Sequence, residues 1–586
     1  MKLNKKAALV VSAVAVAGLL TSCTAGSAST SSGPISEFPA SWDEEITIDV
    51  FDGLANYMGV QEGWFAKIVK DKFNMKLNII APNVAGGGDT LYNTRVTAGD
   101  LGDLIITDKG EKLDELIAGG LVIDAADYYP AMKNAARFDQ AVEHLNEGTE
   151  SGEGTYAFPS SVSSLKPTEP SEGLDPTFGA YVRWDLYKQA GYPELNTLED
   201  LLPALKAMQE LEPTAPNGQK TYGISLFKDW DGNMMNNAKQ PTTYYGYDEL
   251  GFVLAKADGS DYQGILDEDG QYLRTLKFFY DANQLGLLDP DSTTQNYDTL
   301  YTKYQNGQVL YSFWPWLGQT AYNTEENTAA GKGFMLAPIA DQNIFSYGAE
   351  AYGAKQVFAI GSKAEDPERI AAFIDWLYSP EGALANNSQT QGAAGPEDLT
   401  WQLEGDEPVL TDFGQEVFLQ GDAEVPAEWG GGSYIDGTSA LNISAVLPID
   451  IDPNTGYPYS YKFWPSYQAL VQTPLIEDWQ SKTDGATSTI EYLQANDQLL
   501  VAPGASYTAP ADSSEIEALR NQVKAIVVQY SWQLVFAENQ AKFDSLLAEL
   551  QEQAKGLGYE QVYEFDLANA KDQNEQRLAV TEAFAD

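Results

Sequence analysis

The order of the short apolar runs constrains this fold more than any other feature. Ile46-Thr47-Ile48-Asp49-Val50-Phe51 alternates as a strand does, Trp64 to Phe73 carries helical spacing, and Leu77-Asn78-Ile79-Ile80 returns to a strand. Strand, helix, strand is the βαβ unit, so the chain is expected to build an α/β body. Thr90 to Ala98 reads as a further helix, and Asp103-Leu104-Ile105-Ile106-Thr107 as a short buried strand that ends at Asp108. Ligands of open α/β sheets gather at such strand ends. Asp52, Asn56 and Asp108 are therefore candidates for binding hydroxyl groups, with helix capping as the plainer alternative. Gly86-Gly87-Gly88 is not followed by the Gly-Lys-Ser/Thr of a phosphate loop.

Composition removes several function classes. A chain of 586 residues with 43% hydrophobic and 12% aromatic residues can bury a large core. Its 85 Asp and Glu against 35 Lys and Arg leave a formal charge of -50, which repels a phosphate backbone, so nucleic acid is not an expected partner. One histidine and one cysteine cannot build a Cys/His zinc cluster. A Ser-His-Asp triad would have to use His144, which lies in a helical stretch with no nucleophile elbow nearby. No catalytic residue, metal or cofactor is expected.

The lone cysteine is explained by its neighbours. Met1 to Lys6 is basic, and Ala7 to Leu20 is an apolar run of signal-peptide length. Leu20-Thr21-Ser22-Cys23 then resembles the bacterial lipobox, in which the cysteine is acylated and the peptide is cut before it. Residues 1–22 are expected to be a lipoprotein signal peptide. Residues 23–43 would be the lipid anchor and a tether, rich in Ser, Thr, Ala and Gly from Thr24 to Ser36. The alternative is an ordinary export signal with an incidental cysteine.

A family resemblance rests on several motifs in order. Ala98-Gly99-Asp100-Leu101-Gly102-Asp103-Leu104-Ile105 is similar to the "SGDLPDII" segment of extracellular solute-binding proteins (family 1), the lipid-anchored receptors of ABC importers. Gly154-Thr155-Tyr156-Ala157-Phe158-Pro159 resembles their "GKxYALP" crossover, and Tyr181 to Gly191 their "RxDWLxKLG". Asn196-Thr197-Leu198-Glu199-Asp200-Leu201 resembles a "PTTLDE" helix start, with Thr197 as N-cap and Asp200 at the capping-box position. Tyr304 to Val309 followed by Phe313-Trp314-Pro315-Trp316 is similar to the "FxxGKxAM…GPWA" stretch of sugar receptors. Asp366 to Ala385 is similar to the late helix and "SxEG" turn. Phe543 to Arg577 resembles the C-terminal helices of the oligosaccharide branch.

The resemblance implies a periplasmic-binding-protein-like α/β fold of type II, two lobes joined by a hinge and closing on a ligand between them. Lobe one is placed at 44–158 with 355–400, and lobe two at 159–345 with about 401–586. It also implies an extracellular, membrane-anchored monomer that captures an oligosaccharide and passes it to the membrane permease of an ABC importer. Alginate-type members carry a calcium loop before a "YGI" strand. The matching Glu212 to Ile224 has few acidic ligands and includes Lys220, so no calcium is expected there.

Sugars present apolar C–H faces rimmed by hydroxyls, and their receptors pair flat aromatic rings with planar hydrogen-bonding groups. Trp314 and Trp316, with proline between them after an apolar strand, are the first candidates for stacking. Trp230, Tyr245, Trp429, Tyr434 and Trp464 sit in loops beside polar residues and join them, although a tryptophan in a body this size is more often core. Arg183 is expected either to clamp the ligand or to pair with a carboxylate. The rival readings are a peptide receptor of the same fold, a lipid-anchored glycan-cleaving enzyme using two carboxylates, and a surface adhesin.

Overall fold

The βαβ unit at the start of the chain forms and sets the rest of its sheet. Strand Ile46–Asp52 pairs in parallel with Met75–Ile80 on one side and Leu104–Asp108 on the other, with helix Gly63–Phe73 between the first two. Gly59–Val60 closes one edge, while Gln356–Ile360 and then Ala157–Pro159 add antiparallel strands at the other, giving six strands. The pleat sends alternate residues to opposite faces. Val50, Leu104 and Ile106 enter a core with Trp64 and Phe65, whereas Phe51 and Ile105 pack on Leu113 and Leu116 of the other face. The computed structural model describes residues 33–84, 88–387 and 392–585. Cys23, most of the expected tether, and Gly86 and Gly87 lie outside the described residues.

A second and larger core forms around the antiparallel strands Tyr311–Ser312, Tyr181–Arg183 and Phe334–Leu336. Helices Leu201–Leu211 and Gln271–Gln284 and the C-terminal helices Ser514–Val535 and Gln540–Gly556 contribute to it. The capping box read at Thr197 is present. Its side chain meets the backbone of the third position, and Asp200 Oδ2 accepts from Thr197 N at 2.9 Å.

The stretch from 401 to 464 was expected in the second lobe, and the structure places it in the first. Trp401, Leu410, Leu441, Tyr459 and Trp464 are buried in the same cluster as Trp64, Phe65 and Phe358. Tyr434 stacks on Trp64 with centroids 5.2 Å apart and planes at 15°, and Trp64 Nε1 donates to Tyr434 O at 2.9 Å. The backbones also touch here. A side-chain carbon at Gly63, where φ is +80°, would lie 2.3 Å from Gly437 Cα. Periodicity reports which residues are buried but not which core receives them, and this segment has few regular elements of its own.

The chain therefore passes between the two bodies from Pro159 to Tyr181, from Tyr347 to Gln356, and again from Trp464 to Leu475. The last helix, Tyr559–Ala583, starts in the second body, where Tyr559 and Val562 are buried. Its far end reaches the first. Gln140 Nε2 donates to Ala583 O at 3.4 Å, and Phe584 packs on Tyr352, which stacks on His144 at 3.6 Å. The one histidine is thus a packing residue beside a crossing segment. Among the described residues no helix is long and apolar enough to cross a membrane.

Because Trp64 joins the sheet helix to the returning segment, Trp64→Ala should cost about 3–5 kcal/mol, the usual range for deleting a buried indole. Urea unfolding monitored by far-UV circular dichroism reads that loss.

Candidate ligand cleft

Two loops of the second body bring aromatic rings together at its surface. The first follows strand Tyr311–Ser312. Ser312 Oγ donates to Trp314 O at 2.9 Å, and Pro315 opens helix Pro315–Tyr322, where its missing N–H costs nothing. This fixes Trp314 inward, 3% exposed, and Trp316 outward, 38% exposed. Their rings stack at 4.7 Å and 23°. The second loop carries Trp230, 44% exposed and 5.9 Å from each of the other two indoles.

A fourth ring completes the patch. Tyr297 opens helix Tyr297–Gln305 and stacks on Trp230 at 5.0 Å and 24°. Two carboxylates hold the Trp230 turn: Asp229 Oδ2 accepts from Tyr297 N at 2.8 Å, and Asp231 accepts from Asn236 N and from Trp532 Nε1 at 2.9 and 2.7 Å. Burial pushes the Asp231 carboxyl up, against those hydrogen bonds. Phe227 supports Trp230 from beneath, edge to face at 4.8 Å. Trp230 and Trp316, with the half-buried Tyr297 against both, form an outward aromatic surface on a locked base.

Of these rings Trp316 lines a cavity of about 490 Å³ between the two bodies. One wall is Pro315, Trp316, Gln319 and Thr320 of the second body. The opposite wall is Leu447–Ile449, Ser460, Lys462 and Phe463, which continue the segment packed on the first. The segment 171–177, part of the first crossing, closes the end. Glu172 there is already engaged: Oε1 accepts from Thr177 N at 2.6 Å, and Oε2 accepts from Tyr347 N at 3.0 Å and from Ser346 Oγ. One carboxylate thus ties two crossing strands of chain together at the hinge.

The first body adds two hollows. One of about 210 Å³ lies at the strand ends and is lined by Asn83, Tyr92, Asp108, Lys112 and Gln356. Burial alone would raise the Asp108 carboxyl, but Lys355 at 3.1 Å and Lys112 at 3.6 Å outweigh it and hold it below the usual range. The other, of about 740 Å³, is lined by Asn56, Tyr57, Gln61, Asn442 and the glycine run Gly430–Gly432.

Five of the expected site residues have structural work instead. Arg183 is fully buried. Its guanidinium makes a bidentate pair with Asp185 at 2.9 and 2.8 Å, reaches Glu212 at 3.5 Å, and lies 4.2 Å over the Tyr322 ring. Asp52 turns inward, and Oδ1 caps Leu54 N and Ala55 N at 2.8 and 3.1 Å. Tyr434 and Trp464 are core residues, the latter donating from Nε1 to Pro458 O at 2.8 Å and packing on Trp401. Tyr245 lies under the Arg274 guanidinium at 4.4 Å, and its hydroxyl accepts from Leu198 N and donates to Asp341 Oδ1. Trp429 is partly buried against the first core, and the adjoining hollow is lined from Gly430 onward. Trp314 supports the patch from within the core.

Sequence reading missed Tyr297, whose only local signal is the helix cap Asn296 before it, and Phe463, one residue from the tryptophan it favoured. Near the loop compared with a calcium site, Lys303 Nζ stands 2.6 Å from Asp289 and 2.9 Å from Asp291, and Lys220 lies over Tyr222.

No protein-family model matches the sequence, and no curated protein sequence matches it. Solved structures do. The chain is similar to the HMO binding ABC-transporter associated solute binding protein from Bifidobacterium longum infantis ATCC 15697, at 14% identity over 90% of this chain and 99% of that one, with a TM-score of 0.54. It is similar to an extracellular solute-binding protein from Bifidobacterium longum subsp. infantis, at 13% identity over 90% and 98%, with a TM-score of 0.52. A third is the S. pneumoniae ABC-transporter substrate binding protein FusA in complex with kestose, at 16% identity over 92% and 100%, with a TM-score of 0.50. At these identities the likeness establishes the fold, the periplasmic-binding-protein-like α/β class expected from the sequence.

The inward turn of Asp52 has a measurable signature. Burial pushes its carboxyl up to about 7, so the native state holds a proton that the unfolded chain has already released. That contribution to stability is lost as pH rises from about 4 to about 7. Asp52→Asn should remove this slope, and urea unfolding of both proteins at several pH values across that window measures it.

Proposed function

We propose that the protein is the ligand-capturing component of an ABC importer and that its ligand is an oligosaccharide held between the two bodies. The observation that carries this reading is the outward aromatic surface of Trp230, Tyr297 and Trp316, of which Trp316 lines the cavity between the bodies. Exposed indoles leave apolar area in water and are worth keeping only where a partner covers them. Flat rings set on a rigid base suit the C–H faces of sugars, and Gln319, Thr320, Ser460 and Lys462 supply amide, hydroxyl and ammonium groups for the hydroxyl rim. The solved relatives, among them one in complex with kestose, support the same ligand class.

Binding in this reading is closure. Ligand contacts made to both walls stabilise the shut arrangement over the open one, and the crossing segments absorb the rotation. No covalent step is involved, so the ligand leaves unchanged for a permease. We further propose that Cys23 is acylated after loss of residues 1–22 and that the protein is a monomer anchored at the extracellular face. Loss of radiolabelled palmitate incorporation in Cys23→Ala would support that anchor, and retained label would reject it.

Titration calorimetry against a panel of neutral oligosaccharides tests the cleft. Trp230→Ala and Trp316→Ala should each weaken the best binder by about 1–3 kcal/mol while leaving the unfolding midpoint nearly unchanged. Equal affinity in both variants would remove the aromatic surface from the site. Accumulation of cleaved sugar during prolonged incubation would replace the receptor with an enzyme.

A further inference from the structure

Behind the loop that carries Trp230 lies a second groove, of about 920 Å³, on the flank of the second body. The loop is a shared wall: Trp230 faces the cleft patch, while Lys228, Asp231 and Gly232 line the groove. The floor is apolar and comes from the C-terminal helices. Trp532 and Phe536 lie nearly parallel, at 15° with centroids 6.5 Å apart, and Leu546 continues the surface.

Three cationic groups gather around this floor in a chain that is acidic overall. In a protein with 85 acidic and 35 basic residues, some lysines are met by carboxylates, as Lys76 is by Glu45, Lys188 by Asp478 and Lys239 by Asp248 and Glu249, while others stand without an ion pair. At the groove, Lys228, Lys524 and Lys542 stand together. Among the described residues none of the three makes an ion pair, and Lys228 instead rests its ammonium 4.8 Å from the centre of the Trp532 ring. Of the two carboxylates lining the groove, Asp231 is occupied by Trp532 Nε1 and Asn236 N, and Glu538 leaves the rim with an excess of positive charge.

We propose that this groove is a second ligand site and that it takes a carboxylate-bearing sugar unit. A positive rim attracts the anion, and the apolar floor, where the partly exposed Val528 and Phe536 lie beside the buried Trp532, accepts the apolar face of its ring, so one ligand must carry both features. Gln529 and Gln533 on the rim present amides that match ring hydroxyls. The cleft cavity, by contrast, sets Glu172 and Asp175 against a single lysine, Lys462, and so has no cationic excess, which suits an uncharged glycan. The proposal rests on the carbohydrate reading above for its ligand class, and it adds a place where acidic sugar is recognised apart from neutral sugar.

The full-length protein labelled with 5-fluorotryptophan tests it, each of its 12 tryptophan signals being assigned by single Trp→Phe replacement. Trigalacturonate should shift the Trp532 signal saturably, and maltotriose and inorganic sulfate should not. The affinity for trigalacturonate should fall at least tenfold in the combined variant Lys228→Gln, Lys524→Gln, Lys542→Gln, and again as salt rises from about 50 to about 500 mM. A Trp532 signal that ignores trigalacturonate, responds equally to maltotriose or sulfate, or is unaffected by the lysine changes overturns the proposal. The Trp230 and Trp316 signals report the cleft separately. If the neutral oligosaccharides move those two and trigalacturonate leaves Trp532 still, the groove fails and the cleft stands; if trigalacturonate moves Trp532 and no neutral sugar moves the other two, the groove stands and the cleft fails.

Discussion

The stack of Trp316 on Trp314 ties the cleft to the core of the second body. Trp314 is held almost out of solvent, and it lends Trp316 a rigid partner across 4.7 Å, so the exposed ring keeps its orientation without a ligand. Phe227 does the same beneath Trp230. An aromatic surface built this way loses little conformational freedom when it is covered, which is the physical advantage of preorganisation. Pro315 begins the helix directly after Trp314, so the two indoles flank the helix start, one buried and one exposed, and still touch.

The hinge follows from connectivity. Three passages of chain join the bodies, and the proposed closure is a rotation about those crossing segments. Glu172 binds two of those segments together through backbone and hydroxyl donors, and the end of the last helix touches the first body beside Tyr352. The returning stretch 401–464 enlarges the first body and supplies Phe463 and Lys462 to the wall that faces Trp316. Charge acts on a different scale. A net -50 keeps the surface repulsive to polyanions in general, while the local field depends on where the few lysines lack partners.

Much of the first body was legible because its signals are local. Alternation marked Ile46–Asp52 and a continuous apolar run marked Leu104–Asp108, while in the second body capping chemistry marked Thr197 and Asp200. Trp230 and Trp316 were selected as candidates because aromatic residues sat beside polar groups in loops, the latter after an apolar strand. The same criterion also selected Tyr434, Trp464 and Tyr245, which are spent on Trp64, Pro458 and Arg274. It passed over Tyr297 and Phe463. Loop position does not say whether a ring points to solvent, and between Phe463 and Trp464 a single residue step reverses the answer.

The amino-acid order alone determined the α/β character, the parallel strands of the first sheet, the charge and the poverty of imidazole and thiol chemistry, since each of these depends on residue types or on neighbours a few positions away. Tertiary structure decided that Arg183 and Asp52 face inward, that 401–464 returns to the first body, and that Trp230, Tyr297 and Trp316 share one surface. Those outcomes are set by packing between segments tens to hundreds of residues apart, where many buried arrangements satisfy the same local pattern and only the mutual fit of the side chains selects one.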